Sequence, residues 1–224
     1  MYVGRLMQKD LVTIPPDTSL VEANSIIGEK AISHLLVVDR KEKLLGMISD
    51  RDLKQSWASQ ATTLSVHELN YLLEQVTVDM IMAKTIISIP PDTTIERAAY
   101  IMQENRINAL PVIQDDTLVG IITTHDVMGV LLLAIGINED SARFAVLVKD
   151  RIGVMAEVTK ILMDHRINIR SLFTWPEKKY PGIYQLVMRV NAADGERAME
   201  ALTGGGFKVL PKYVQDLEPY LPEG

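Results

Sequence analysis

The sequence predicts a mixed α/β fold of the α+β type, in which two copies of a β-α-β-β-α unit precede a smaller βαββαβ domain. Two observations predict this class: an internal repeat over about the first 130 residues, and a change of pattern after residue 140. The chain has 224 residues, of which 47% are hydrophobic, and this is enough to fill one large core or two modest cores.

The repeat relates Met7–Val37 to Met82–Val112 at a constant offset of 75 residues. A Pro-Pro-Asp-Thr string and the apolar positions behind it recur at this offset. Further along, the offset falls to 74, which predicts hairpin loops of different length in the two copies. Matched pairs include Pro15 and Pro90, Ala23 and Ala98, Gly46 and Gly120, and Asp52 and Asp126.

Each copy begins with a short extended segment that ends at Pro-Pro, because proline continues neither a strand ladder nor a helix. A helix follows, for which Asp17, Thr18 or Ser19 is the candidate cap in the first copy and the Thr93/Glu96 pair in the second. Two buried strands joined by a hairpin come next, and the chain then turns into a second helix. The predicted strands are Leu35–Asp39, Leu45–Ile48, Leu110–Ile113 and Leu118–Ile122.

The segment between the copies predicts an amphipathic helix, since Ser65 and Glu68 form a capping box before apolar residues at helical spacing. Gly136 predicts the end of the helix that follows the second copy. The expected domains are residues 1–60 for the first repeat, 61–77 for the connecting helix, 78–136 for the second repeat and 142–218 for the C-terminal domain.

The C-terminal domain alternates between strand and helix patterns in the order βαββαβ, which predicts ferredoxin-like topology. Its first helix presents Val154, Val158, Ile161 and Leu162 on one face, and Glu196–Leu202 is the second helix. The predicted strands are Phe144–Val148, Asn168–Trp175, Ile183–Val190 and Phe207–Leu210.

Composition argues against several functions. The sequence has no cysteine, which excludes disulfides, thiolate catalysis and Cys-ligated zinc and suits a cytoplasmic protein. The formal charge of −6 disfavours nucleic acid, and the longest apolar run, Val130–Ile135, is too short to span a bilayer. His67-Glu68 begins like a zinc-protease motif, but Tyr71 stands where the second histidine should be, so no metal is expected. We find no nucleophile–base constellation and expect no enzymatic activity.

The start of the second helix in each copy is the candidate binding site. Free backbone N–H groups and the positive end of the helix dipole favour a phosphate there. Asp52 and Asp126 lie three residues after Ser49 and Thr123, and each carboxylate can accept from both hydroxyls of a ribose. Arg51 would add a planar donor fork for phosphate in the first site. His125 occupies that place in the second site, so the two sites should differ in preference.

The same spacing has a purely structural explanation. Ser49 with Asp52 and Thr123 with Asp126 are also capping boxes, which satisfy helix-terminal amides without any ligand. Spacing alone favours this explanation over a binding site.

The repeated string, from Pro-Pro-Asp-Thr to the Gly-(Met/Ile)-Ile-(Ser/Thr)-x-x-Asp at its end, resembles the CBS motif, and two tandem copies resemble a CBS pair, or Bateman module. This resemblance covers about residues 3–55 and 78–130. Residues 142–216, where Gly153 opens a helix after Asp150–Ile152, are similar to an ACT domain. The order CBS, CBS, ACT resembles the acetoin-utilisation AcuB family.

The CBS resemblance implies a regulatory sensor that binds an adenine nucleotide, AMP, ADP or ATP, rather than an enzyme. S-adenosylmethionine is an alternative ligand, and a ligand-free scaffold for a partner protein is another alternative. Leu36 departs from the family pattern, which usually has proline there, as Pro111 does in the second copy. The Ser/Thr and Asp pair would contact phosphate and ribose. The backbone around the base would come from Thr13, Ile14, Ile32, Ser33 and His34 in the first copy and Ser88, Ile89, Ile107, Asn108 and Ala109 in the second.

The ACT resemblance implies a homodimer, an amino-acid site, or both. Alternatively, Asp150 only caps a helix and Gly153 only relieves a tight turn. An effector protein is expected but not identified, with an acetoin-pathway or deacetylase protein as the candidate from the AcuB resemblance. The candidate amino-acid-binding residues are Asp150, Gly153, Val154, Met155, Asn168 and Ile169.

Overall fold

The computed structural model describes residues 1–56, 74–137 and 140–222. The chain divides into two compact units, Met1–Met128 and Gly129–Gly224. Most of the predicted connecting helix, including Ser65, His67 and Glu68, lies outside the described residues.

The first repeat has the predicted β-α-β-β-α order. Its sheet has the strand order β1-β2-β3, with β1 parallel and β3 antiparallel to β2. Ser19 caps the first helix, because its Oγ accepts a hydrogen bond from the Glu22 N–H at 3.2 Å. Along the chain the elements are a 3₁₀ turn at Val3–Arg5, β1 (Thr13–Ile14), α1 (Leu20–Lys30), β2 (His34–Val38), β3 (Leu44–Ser49) and α2 (Asp50–Ser56).

The second repeat follows the same plan, with a two-stranded antiparallel sheet of β4 and β5. Its long helix is capped by Thr94, whose Oγ1 accepts from the Arg97 N–H at 3.2 Å. The prediction that Thr93 is the cap is therefore wrong by one residue. The elements are α3 (Val78–Ile81), α4 (Ile95–Asn105), β4 (Ala109–Gln114), β5 (Thr117–Thr123) and α5 (Thr124–Ala134).

Leu36 and Pro111 explain why the two sheets differ. The Leu36 N–H donates to the Val12 carbonyl at 3.4 Å, which extends the pairing of β1 with β2. Pro111 has no N–H, so the equivalent segment of the second repeat keeps one isolated parallel bridge between Ile89 and Val112. The leucine therefore adds one backbone hydrogen bond to the first sheet that proline could not donate.

The two repeats interlock, because the first residues of each one bond to the other. Backbone N–H groups of Val3 and Val78 donate to the carbonyls of Thr93 and Thr18, at 2.8 and 2.9 Å. Further along, Gln8 forms an antiparallel bridge with Ile121, and its repeat partner Ala83 forms one with Met47.

Glycine makes this interlocking possible at the central strands. A Cβ on Gly46 would lie 2.3 Å from the Met82 Sδ, and one on Gly120 would lie 2.4 Å from the Met7 Sδ. Each methionine precedes one repeat and packs on the other. The core of the first repeat accordingly includes Val78, which is fully buried.

The C-terminal unit has the predicted ferredoxin-like topology, with the antiparallel strand order β7-β8-β6-β9. Helices α6 and α7 cover one face of the sheet over a core that includes Phe144 and Leu186. Half-buried residues of the C-terminal segment, such as Leu217 and Tyr220, pack on the other face. The elements are β6 (Ser141–Lys149), α6 (Val154–Asp164), β7 (Ile169–Pro176), β8 (Ile183–Asn191), α7 (Gly195–Gly204) and β9 (Val209–Leu210).

Candidate functional site

The first candidate site lies where β3 passes into α2. The Asp52 Oδ2 accepts hydrogen bonds from the Ser49 N–H at 2.8 Å and from the Ser49 Oγ at 2.6 Å. In return, the Asp52 N–H donates to the Ser49 Oγ at 3.2 Å. These bonds complete a capping box and hold the carboxylate at the end of the strand. Arg51, on the same turn, is exposed to solvent.

The second candidate site repeats this geometry where β5 passes into α5. The Asp126 Oδ2 accepts from the Thr123 N–H at 2.8 Å and from the Thr123 Oγ1 at 2.7 Å. Its other oxygen, Oδ1, accepts from the Gln8 Nε2 at 3.3 Å. His125 is exposed. Both capping boxes predicted from spacing are therefore formed, and each presents one aspartate beside the end of a central strand.

Strand register brings the predicted base-surrounding segments next to these caps. Ser49 pairs with His34 across β2 and β3, and Thr123 pairs with Ala109 across β4 and β5. One residue further, the Asp50 N–H donates to the Ser33 carbonyl at 3.0 Å. The equivalent bond in the second repeat joins the Thr124 N–H to the Asn108 carbonyl at 2.9 Å.

The residues at the start of each predicted site differ in how far their side chains are buried. The side chains of Ile14 and Ile89 are each only 4% exposed. The Ile89 N–H donates to the Pro111 carbonyl at 3.1 Å, and the Ile89 carbonyl accepts from the Ile113 N–H at 3.0 Å, so the backbone of Ile89 is already bonded within the second repeat. Thr13 and Ser88, one residue earlier, are exposed.

A cavity of about 590 Å³ is lined by residues of both repeats. The first repeat contributes Ile32, Ser33 and His34, and the second contributes Asn108, Thr123 and His125. The sequence groups these residues by repeat, whereas the cavity joins them across the two. Gln8, Asp10 and Lys30 also line the cavity and were not predicted from the sequence. The repeat does show one difference, because the residue equivalent to Gln8 in the second copy is Ala83.

His34 lies at the edge between this cavity and the first cap. Its Nδ1 is buried, and no described residue forms a hydrogen bond with it. Burial lowers the pKa of His34 below the ordinary value of 6.5, although the negative charge of Asp52 partly opposes this shift. Burial therefore favours the neutral form of the ring, and the nearby aspartate favours the charged form.

The C-terminal unit has a cavity of about 300 Å³ at the turn from β6 into α6. Four of the predicted amino-acid-binding residues line it: Asp150, Gly153, Val154 and Met155. Gly153 has a φ of 89°, a left-handed conformation that favours glycine, and it takes the N-cap position of α6 without a side-chain bond.

The other two predicted residues lie elsewhere in the same unit. Ile169 pairs with Val190, which pairs with Ala142, so Asn168 and Ile169 lie at the opposite end of the sheet from Asp150. Thr174, near the far end of β7, lines the cavity instead. Within one chain, therefore, the structure does not bring the two halves of the predicted amino-acid site together.

Two further features concern the residues that the structure describes, 1–56, 74–137 and 140–222. Among them, no three His, Cys, Asp or Glu side chains are grouped in a way that would hold a metal ion. In the same residues, we find no helix with the length and apolar character needed to cross a membrane.

Comparison with known proteins identifies both parts of the chain. Residues 3–58 and 78–133 match the CBS domain family, and residues 143–203 match the ACT domain family. A CBS-domain containing protein from Agrobacterium tumefaciens, of known crystal structure, aligns with a TM-score of 0.51 and 27% sequence identity. That alignment covers 58% of this chain and 99% of the other.

Two curated relatives are much longer enzymes. A homoserine O-acetyltransferase from Methanohalobium evestigatum is 33% identical over 127 residues, which are 56% of this chain and 23% of that protein. An inosine-5′-monophosphate dehydrogenase from Methanocaldococcus jannaschii is 33% identical over 121 residues, which are 54% of this chain and 21% of that protein. The chain therefore spans less than a quarter of the length of these relatives.

Proposed function

The chain belongs to the CBS-domain family and carries an ACT domain at its C-terminal end, and on that premise we propose that its repeats bind an adenine nucleotide, AMP, ADP or ATP, as a regulatory sensor. One observation carries the proposal: the same Ser/Thr–Asp geometry occurs at the end of β3 and again at the end of β5. Between them the two repeats line a cavity of about 590 Å³. The volume of this cavity lies in the range of sites for small molecules such as a nucleoside monophosphate.

The chemistry of the first site suits a nucleotide that carries phosphate. The Asp52 Oδ2 is held by Ser49, which fixes the carboxylate so that it can accept from ribose hydroxyls at little further entropic cost. Arg51 is permanently charged and exposed on the same turn, so its guanidinium can pair with phosphate in two parallel hydrogen bonds. The backbone near Ser33 and His34 would surround the base.

Interlocking offers a way for binding to become a signal. Each repeat is completed by the segment in front of the other, through the bridges of Gln8 with Ile121 and of Ala83 with Met47. A ligand that favours one arrangement of the interlocked repeats over another shifts their populations by its difference in affinity for the two.

Two alternatives remain in competition. The closed capping boxes also suit a ligand-free scaffold, because they satisfy the helix amides without a nucleotide. S-adenosylmethionine would use the same ribose acceptors but has no phosphate. Loss of Arg51 should therefore weaken AMP binding and leave S-adenosylmethionine binding nearly unchanged.

We assign residues 1–60 and 78–136 to the sensor and residues 142–218 to the ACT domain, with residues 61–77 as the segment between the two repeats. The ACT domain would pair two chains or bind an amino acid near Asp150 and Gly153. These two residues line the cavity of about 300 Å³. Light scattering should give twice the 25.0 kDa mass of the chain at micromolar concentration. A monomer mass would contradict the homodimer.

The partner and setting of the sensor are part of the same proposal. We expect a non-enzymatic protein that acts in the cytoplasm on an effector protein, with acetoin utilisation as the candidate pathway. Affinity capture with and without nucleotide, followed by cell fractionation, tests this step. If the same proteins are captured in the same amounts with and without nucleotide, the regulatory role is contradicted.

Calorimetry on the full chain tests the central step. We expect heat of binding and a raised melting temperature with AMP, ADP or ATP, because a ligand of the native state stabilises it. S-adenosylmethionine, adenosine and GMP serve as comparison ligands, and the Asp52→Ala/Asp126→Ala double variant as the protein control. No heat and no melting shift with any adenine nucleotide at millimolar concentration would overturn the proposal in favour of the scaffold.

A further inference from the structure

Comparison of the two repeats shows that Asp52 and Asp126 differ in one side-chain contact. Gln8 and Ala83 are equivalent residues at the offset of 75, and each forms a backbone bridge with a strand of the opposite repeat, β5 for Gln8 and β3 for Ala83. Gln8 extends its side chain to Asp126, whereas the methyl group of Ala83 cannot donate a hydrogen bond to Asp52.

The backbone around these two residues is nearly identical. The N–H of Gln8 donates to the Ile121 carbonyl at 2.9 Å, and the Ile121 N–H donates back at 3.0 Å. Ala83 and Met47 exchange the same pair of bonds at 2.9 and 3.0 Å. The side chain at this position is therefore the difference between the two arrangements, and it can be exchanged without changing the backbone pairing.

The contact leaves Asp126 with both oxygens engaged. Thr123 donates twice to its Oδ2, and Gln8 donates to its Oδ1 at 3.3 Å. Ser49 donates in the same way to the Asp52 Oδ2, but no residue that the structure describes donates to the Asp52 Oδ1. The hydroxyls of a ribose would donate to the same carboxylate, so they would compete with the Gln8 amide for the Asp126 Oδ1.

Gln8 also lies in the right place to compete. It lines the cavity of about 590 Å³ together with Thr123 and His125. Its own amide is exposed, so the bond to Asp126 can open without burying an unpaired group. The competition is therefore weak enough for a ligand to overcome and strong enough to measure.

Resting on the proposed nucleotide function, we propose that Gln8 is a positioning residue that lowers the affinity of the second site by occupying Asp126. The first site, at Asp52, is then the higher-affinity nucleotide site. This contribution to the difference between the sites comes from one side chain outside the helices, in the first residues of the first repeat.

Calorimetry with AMP tests each site separately in the full chain. Asp52→Ala weakens the first site, and in that background Gln8→Ala should tighten AMP binding at the second site by about three- to tenfold. Asp126→Ala weakens the second site, and in that background Ala83→Gln should weaken AMP binding at the first site by a similar factor. Lys9→Ala, a neighbouring exposed change, is the control and should alter neither value.

A ligand without the ribose diol separates competition from a general structural effect. The gain from Gln8→Ala should disappear with 2′,3′-dideoxy-AMP, because that ligand makes no use of the freed oxygen. Melting curves of every variant in the absence of ligand check that the fold is kept.

The outcomes distinguish the two proposals. No AMP binding in any variant would overturn the nucleotide function and this inference with it. AMP binding that Gln8→Ala leaves unchanged or weakens, or a gain that is equal with the dideoxy ligand, would overturn the role of Gln8 alone.

Discussion

Removal of the Asp52 carboxylate separates a binding role from a capping role, because the two predict different magnitudes in different assays. In the structure this carboxylate accepts from the Ser49 N–H at 2.8 Å and from its hydroxyl at 2.6 Å. Asp52→Ala leaves that half-buried amide without its partner. We expect a loss of about 1 kcal/mol of stability, which lowers Tm by about 2–4 °C.

If the carboxylate also holds a ribose, the same change removes charge-assisted hydrogen bonds to the ligand. Such bonds contribute about 1.5–3 kcal/mol, so AMP affinity should fall about tenfold to a hundredfold. Melting without ligand and calorimetry with AMP on the same protein give both numbers. Asp126→Ala makes the corresponding test of the second site.

Asp50→Ala is the matched control. Asp50 lies on the same turn and pairs with Lys54 at 2.6 Å, so its removal takes away one negative charge without touching the cap. An exposed pair of this kind contributes about 0–1 kcal/mol. A lower Tm for both Asp52→Ala and Asp126→Ala, together with wild-type AMP affinity, would refute the binding role and leave two capping boxes.

Two further predictions concern the packing and the titration of the repeats. Gly120→Ala should destabilise the protein by about 1–3 kcal/mol in denaturant unfolding, because the added Cβ would lie 2.4 Å from the Met7 Sδ; Gly129→Ala, with nothing within 4 Å, is the control. Equal stability of the two variants would contradict the interlocked packing. His34 has a lowered pKa, so the folded protein binds fewer protons and loses stability as pH falls below 6.5. His34→Gln should flatten Tm between about pH 5 and pH 7; equal pH slopes in both proteins would show that another group titrates.

Local patterns in the sequence were sufficient for the elements and for the two caps. Proline pairs, strand-like apolar runs and the Ser49/Asp52 and Thr123/Asp126 spacings act over a few residues, so the bonds they predict form wherever the chain folds locally. The Thr93 cap was wrong by one residue because Thr93 and Thr94 are both good caps, and the tertiary bond from Val3 to the Thr93 carbonyl was not visible.

What the sequence determined by itself is the repeat, the class of each element, the order of the C-terminal domain and the capping bonds of the paired aspartates. Tertiary structure alone decided which distant residues meet. The bridge of Gln8 with Ile121, the mixed lining of the cavity and the separation of Asn168 from Asp150 depend on strand register between segments far apart in the chain. Periodicity describes which side of an element is buried, and it carries no information about which other element covers that side.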